Sequence, residues 1–251
     1  MAAHAVYEFA MVEFRTRSLD RAMTFFQEAF GWAPTPVPGQ RFAFADPGKT
    51  PVVEVLEVDA PVPTGVTPYL LTDDIEDSLA DVERLGGTVL LGKSEWGSIG
   101  WWANTVDPWG NEMALMQTAN PWSPSFRGTP HHPIVWAELR APDLAAAVRY
   151  YKQLAGWSFQ IKPDVDDFAF RSAGNHPVGV GLVGGERADH LQRLTMYVRV
   201  DNLREATDRI TRAGGQLSQY TKAAPETGRI RIAYDPDGNE IGLFEDAVNA
   251  A

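Results

Sequence analysis

Two glutamates, Glu13 and Glu138, stand 125 positions apart, and each is followed two residues later by an arginine, Arg15 or Arg140. Both pairs lie in alternating stretches, Met11 to Thr16 and Val135 to Arg140, that predict β-strands. Strand side chains alternate between faces, so each glutamate shares a face with its arginine. A carboxyl group in a partly apolar hollow has its pKa raised and can serve as a general acid or base. The arginine can bind an anionic group of a ligand, or it can simply pair with the glutamate on a solvated sheet.

The elements that must position these residues occur twice. Asp107-Pro108-Trp109-Gly110-Asn111-Glu112 reappears as Asp235-Pro236-Asp237-Gly238-Asn239-Glu240, 128 positions later. Gly31-Trp32 recurs as Gly156-Trp157, and Gly86-Gly87 as Gly214-Gly215. The period is too long for a solenoid and suits a duplicated domain. Residues 1–118 are expected to form the first domain, 119–133 a Pro-rich linker and 134–251 the second domain. In each copy the strand leads into a helix. Ser18 or Asp143 can cap it, and Leu19, Ala22, Phe25, Phe26 and Phe30 make one apolar stripe. Gly31 and Gly156 stand where such a helix would stop. Short strands follow over Arg41 to Ala45, Pro51 to Val58 and Thr67 to Leu71, then a second helix from Asp74 to Leu85. Counterparts lie at Asp167 to Ser172, Val178 to Val183, Thr195 to Val200 and Asn202 to Ala213. Each Asp-Pro-x-Gly sequence suits a type I turn between closing strands. Trp122 and Phe126 in the linker are expected to anchor it on a domain.

Net charge is −11, which disfavours nucleic acid and anionic membranes as partners. There is no cysteine, so disulfides, thiolate nucleophiles and Cys-zinc sites are excluded. That composition fits a cytoplasmic protein. Residues 1–11 do not read as a secretory signal, and no apolar run approaches a membrane span. The expected partner is a small molecule, with pairing into a homodimer as a further expectation.

Tandem β-α-β-β units with one more strand each, a helix running into Gly-Trp and a closing Asp-Pro-x-Gly-Asn turn together resemble the vicinal oxygen chelate superfamily. This is the glyoxalase, bleomycin-resistance and extradiol dioxygenase group, and the nearest likeness is to tandem two-domain glyoxalase-like proteins of actinobacterial type. The resemblance implies an α+β fold of two tandem glyoxalase-like domains. Each would be built from paired βαβββ units forming a cupped mixed sheet with helices on its convex side. It also implies a divalent metal held by four inward His, Gln or Glu residues. The matching places hold Met11, Glu54, Thr67 and Ala114 in the first copy. In the second they hold Trp136, Gly179 or Gly181, Thr195 and Gly242. Most of these are not ligands for such a metal. No metal and no other cofactor is therefore expected. The five histidines, His4, His131, His132, His176 and His190, fall elsewhere.

If Met11 lines the cup, alternation places Glu13 and Arg15 there too, with Tyr69 beside Thr67 and Glu112 and Met116 beside Ala114. The second cup would hold Trp136, Glu138, Arg140, Tyr197, Arg199, Glu240 and Phe244. Val12, Phe14, Ala137 and Leu139 would face the helices. Trp96, Trp101, Trp102 and Trp109 crowd the end of the first copy and offer either core packing or an aromatic wall. The small Ala114 and Gly242 are expected to open the cups. Glu13 and Glu138 are the candidate catalytic residues. Arg15, Tyr69, Trp102, Trp136, Arg140, Tyr197, Arg199 and Glu240 are the candidate ligand-binding ones.

The leading expectation is a metal-independent small-molecule binding protein that sequesters a drug or metabolite. The alternative is a metal-independent lyase, isomerase or cyclase of secondary metabolism that uses a cavity glutamate as acid and base. A metal-dependent lyase or dioxygenase ranks third.

Overall fold

A computed structural model describes residues 7–45, 51–121, 132–161, 167–172, 178–184, 194–224 and 228–247. Trp122, Phe126, His4, His131, His176 and His190 lie outside the described residues.

The first half runs β1 (Phe9–Thr16), α1 (Leu19–Phe30), β2 (Thr35–Pro36), β3 (Phe42–Ala45) and β4 (Val52–Glu57). It continues with β5 (Gly65–Leu71), α2 (Ile75–Arg84), β6 (Thr88–Trp96), β7 (Gly100–Val106) and β8 (Glu112–Thr118). The second half runs β9 (Ile134–Arg140), α3 (Leu144–Ala155), β10 (Gln160–Ile161), β11 (Phe168–Arg171) and β12 (Gly179–Val183). It closes with β13 (Leu194–Arg199), α4 (Leu203–Arg212), β14 (Gln216–Ala224), β15 (Gly228–Tyr234) and β16 (Glu240–Asp246). Each half is thus two βαβββ units. The strand orders are β2-β3-β4-β1-β5-β8-β7-β6 and β10-β11-β12-β9-β13-β16-β15-β14. The sheets are mixed: β1 runs parallel to β4 and β5 to β8, while the hairpins are antiparallel. The two-residue strands β2 and β10 are too short to carry an alternation that sequence could register.

The helix signals act as the sequence suggests. The Ser18 side chain accepts from the Arg21 amide, and the Asp143 side chain from that of Ala146. Gly31 and Gly156 end α1 and α3 in the left-handed region, at φ 69° and 67°. The stripe of α1 buries Phe25, Phe26 and Phe30, and Phe26 meets Phe14 of β1 edge-on at 4.8 Å. This puts the even-numbered face of β1 against the helix, which leaves Glu13 and Arg15 on the other face. Burying each such ring contributes about 1.5–3 kcal/mol.

By compactness the chain resolves into two units, each drawing on both halves of the sequence. One comprises Met1–Ala10, Thr67–Pro124 and Ala137–Leu194. In it, Asn111 of the Asp-Pro-x-Gly-Asn turn clamps the backbone of Arg140. Asn111 Nδ2 donates to the Arg140 carbonyl at 2.7 Å, and the Arg140 amide donates to Asn111 Oδ1 at 2.9 Å. Asp107 holds the turn itself. Its Oδ1 accepts from the amides of Trp109 and Asn111, and its Oδ2 from Asn111 Nδ2 and, at 2.5 Å, from the Tyr151 hydroxyl. Trp157 Nε1 donates to the Tyr7 carbonyl at 3.2 Å.

The other unit comprises Met11–Val66, Ser125–Trp136 and Thr195–Ala251, and it repeats these contacts with new partners. Asn239 Nδ2 donates to the Arg15 carbonyl at 2.9 Å. Asp235 accepts from the amides of Asp237 and Asn239 and from Asn239 Nδ2. Trp32 Nε1 donates to the His132 carbonyl at 3.2 Å. The motifs that looked like local turns therefore also fix the backbone of the strands carrying the Glu-Arg pairs.

One donor differs between the units. Tyr151 corresponds to Phe26, 125 positions earlier, so a phenol at Asp107 has no counterpart in the repeat pattern at Asp235. Burial raises both carboxyl groups, and that of Asp235 is pushed up to about 6. Natively it keeps a proton that the unfolded chain, titrating near 3.8, has released. Stability from this group is therefore lost as pH rises from about 4 to about 6, on the order of 3 kcal/mol in all. Phe26→Tyr should restore the phenol donor, lower the pKa of Asp235 and add about 1 kcal/mol at pH 7. Urea unfolding of both forms at pH 4.5 and pH 7 checks this: the gain should be larger at pH 7, and an equal gain at both would refute it.

Candidate functional site

The residues with chemistry gather into three clusters. The first pairs Glu13 with Glu54, which the sequence marks as a possible metal-ligand place but not as the neighbour of Glu13. In the parallel β1–β4 ladder Glu13 stands in register with Glu54, so the two carboxyl groups lie side by side on one face. Both are buried, at 6% and 3% exposure. Phe44 stands next to Glu54 on its other side. Arg15 Nε lies 3.8 Å from Glu13 Oε1, and its guanidinium covers Gly65, where an added Cβ would meet Nη2 at 2.8 Å. Arg15 thus serves as an ion-pair partner and a cover. Burial first, and the charge of Glu13 second, push Glu54 well above the usual carboxylate range. Two such groups can hold one proton between them and pass it to or from a substrate. Only cross-strand register reveals this pair, because residues 13 and 54 are distant in sequence. Among the described residues of the second half, β11–β12 pairs Phe170 with Gly181 where β3–β4 pairs Phe44 with Glu54, so no second carboxyl group stands at that place.

The second cluster lies on β5, β7 and β8. Asn104 Nδ2 donates to Glu112 Oε1 at 2.8 Å, and the Thr67 hydroxyl donates to the same oxygen at 3.2 Å. The Tyr69 ring lies 5.8 Å from Trp96 and 6.3 Å from Trp102, tilted to both. Tyr69, Ala114 and Asn104 form one row across the three strands. Tyr69 is buried, while Trp96, Trp102, Asn104 and Glu112 are part-exposed. The four tryptophans do not form one wall. Trp101 faces the Lys93 ammonium at 5.1 Å, and Trp109 packs edge-on against Tyr150 at 5.6 Å.

The third cluster is the counterpart in the second half. The Thr195 hydroxyl donates to Glu240 Oε1. Tyr197 lies flat over Gly242, where an added Cβ would meet three ring atoms at 2.3–2.5 Å. Gly242 therefore does not open this site, as its size suggested; the tyrosine ring fills the space. Ile232 replaces Asn104 and Ile230 replaces Trp102 in the strand register. Arg199 sits 3.9 Å from Asp246, both about two-fifths exposed, so the pair contributes little. On β9 Glu138 is buried at 7% exposure, and Trp136 and Arg140 are half-buried.

The places at which related folds hold a metal do not suit one here. Met11 is fully buried, Ala114 has no donor, and the Thr67 hydroxyl is engaged by Glu112. Glu54 alone offers a carboxyl group, and it is pushed toward its protonated form. In the second half the places hold Trp136, Gly181, Thr195 and Gly242. Among the described residues no group of three or more His, Asp or Glu could hold a metal ion.

Comparison with known proteins places this geometry. Residues 11–116 and 136–244 each match the family model of the glyoxalase-like domain. A putative glyoxylase, CFP32, of Mycobacterium tuberculosis is 23% identical over 131 residues, covering 47% of this chain and 46% of that protein. The chain thus spans about half the length of the mycobacterial relatives it matches. A glyoxylase-like domain-containing protein of Didymella fabae is 26% identical over 115 residues, 43% of this chain and 90% of its own. Among solved structures, the 2,3-dioxygenase LapB from Pseudomonas sp. KL28 superposes with a TM-score of 0.65 at 16% identity, covering 97% of this chain and 93% of that one. The Mn(II)-bound glyoxalase from Novosphingobium aromaticivorans gives 0.66 at 14% identity, covering 97% and 84%.

The donor set predicts that Mn(II), Zn(II) or Ni(II), or a chelator, leaves the melting temperature unchanged. A metal binding the native state at a hundredfold excess over its Kd would add about 2.7 kcal/mol. A clear upward shift with any one of these ions, reversed by chelator, would refute the misfit.

Proposed function

Because the chain belongs to the glyoxalase-like domain family of the vicinal oxygen chelate superfamily in both of its halves, we propose that it binds a small organic molecule without a metal and so sequesters a drug or metabolite. One observation carries this reading: Tyr69, Trp96 and Trp102 form an aromatic group beside the hydrogen-bonded set of Thr67, Glu112 and Asn104. Ligand sites combine such apolar walls with a few placed polar groups. The net charge of −11 supports a small molecule over nucleic acid or an anionic membrane. A cytoplasmic setting and a homodimer are part of the same proposal.

A second reading has its own support. The buried Glu13–Glu54 pair has the proton-holding character of a general acid and base, which favours a metal-independent lyase, isomerase or cyclase. Glu138 and Arg140, Trp136, Tyr197, Arg199 and Glu240 would serve the second half in either case.

The readings separate by experiment. Ligand-observed NMR with a set of small aromatic compounds should find binders. Trp102→Ala should weaken them about tenfold, the worth of an aromatic contact. Glu54→Gln should leave affinity within about threefold. If a bound compound is also turned over, Glu54→Gln or Glu13→Gln should lower kcat roughly a hundredfold or more. No binding by the native protein, or equal binding by Trp102→Ala, would sink the first reading; undiminished turnover in both glutamine variants would sink the second.

A further inference from the structure

In each compact unit a helix of one half meets the Gly-Gly segment of the other half. An added Cβ at Gly87 would meet the Tyr150 hydroxyl at 2.9 Å, and one at Gly215 the Phe25 ring at 2.8 Å. Phe25 and Tyr150 are repeat counterparts, 125 positions apart, so one contact is used twice. The third residue of the Asp-Pro-x-Gly turn meets the same helix or the residues that lead into it, and there the units diverge. That residue is Trp109 in one and Asp237 in the other.

Asp237 is fitted to the first half. The Thr16 hydroxyl donates to its Oδ2 at 2.5 Å, the Arg17 amide to its Oδ1 at 3.3 Å, and Arg21 Nη2 to Oδ1 at 2.5 Å. The Asp237 side chain is 4% exposed, so removing these donors would leave a carboxylate out of water and poorly partnered. All three donors are missing at the matching places of the second half. Ala141 stands for Thr16, Ala146 for Arg21, and Pro142, which has no amide hydrogen, for Arg17. Asp143 stands for Ser18 and would add a like charge. Trp109 suits that surface instead, packing edge-on against Tyr150 at 5.6 Å. Set against the first half, an indole would offer Thr16, Arg17 and Arg21 no acceptor.

We propose that the third residue of each turn selects the half on which the turn docks, so that each half fits the unlike half and not the same half of a second chain. Two first halves would set Trp109 against Thr16 and Arg21, and two second halves would set Asp237 against Ala141, Pro142 and Asp143. Each wrong pairing carries a mismatch, which is how specificity between similar surfaces arises. The turns also carry Asn111 and Asn239, which hold the backbones of Arg140 and Arg15, so selecting the half also decides which strand is clamped.

Urea unfolding of full-length variants tests the selection as a reversal of preference. Asp237→Trp alone should lower the unfolding equilibrium constant roughly tenfold or more. In a background of Thr16→Ala with Arg21→Ala, which copies Ala141 and Ala146, the same change should cost less than about threefold, because the tryptophan then meets Phe25 as Trp109 meets Tyr150. In the other unit Trp109→Asp should cost roughly fivefold or more, and adding Ala146→Arg should recover a clear part of that loss. If Asp237→Trp costs as much in the truncated background as in the native one, the aspartate serves only its own turn and the selection is refuted. A cost of Trp109→Asp that Ala146→Arg leaves unchanged refutes it equally, and it decides the matter should the Asp237 variants not fold.

Discussion

The structure depends on a side chain reading a backbone. Asn111 donates to and accepts from Arg140, and Asn239 donates to Arg15, each reaching a strand contributed by the other half of the sequence. These bonds are part-buried, and the aspartates at 107 and 235 hold the asparagines through two buried contacts each and the turn through a third, to the amide of Trp109 or Asp237. A buried backbone group that loses its partner costs about 1–3 kcal/mol, so the turns cannot shift without penalty. Because Arg15 and Arg140 follow Glu13 and Glu138 by two residues, fixing their backbones also sets the register of the glutamates. The tryptophans of the Gly-Trp pairs repeat the same exchange, donating to carbonyls of Tyr7 and His132.

Duplication preserved that frame and released the side chains above it. The turns, the tryptophans after the helices and the helix C-caps use the same residue types in both halves, Asp and Asn, Trp and Gly, while the N-caps Ser18 and Asp143 and the phenol at Asp107 differ. Further differences fall where side chains leave the strands: Glu54 against Gly181, Asn104 against Ile232, Trp102 against Ile230 and Ala114 against Gly242. Glu54 and Asn104 make the first half the more polar at their two positions, and Trp102 puts a ring where Ile230 puts an aliphatic chain. In the second half a tyrosine ring lies over Gly242 and aliphatic chains stand at the positions of Asn104 and Trp102.

Much of the frame was legible in sequence because it is local or repeated. Caps at Ser18, Asp143, Gly31 and Gly156, the aromatic stripe of α1 and the strand alternation each follow from short-range rules. The two-residue strands were not, since a period needs more than two residues to show. The site was legible in type but not in pairing. Alternation placed Glu13 and Arg15 on one face, yet only strand register joins Glu13 to Glu54. The reading of Gly242 as an opening failed for a related reason. A small residue makes room, but which neighbour takes the room is a matter of packing, and Tyr197 takes it.

The same period of two accounts for where the carboxyl groups of the first half stand. Glu13 stands two residues after Met11, and Glu112 two residues before Ala114, so both remain on the face of the positions they flank. Each carboxyl group has local partners: Arg15 and Glu54 for Glu13, Thr67 and Asn104 for Glu112. A carboxylate whose oxygen already accepts two hydrogen bonds, as that of Glu112 does, is a poor metal ligand. Met11 beside Glu13 and Ala114 beside Glu112 are apolar and fully buried, which lowers the local dielectric and strengthens the polar contacts each flanks. What these strands bring together is therefore a buried carboxyl pair, Glu13 and Glu54, and a hydrogen-bonded set of Thr67, Glu112 and Asn104 near the rings of Tyr69, Trp96 and Trp102.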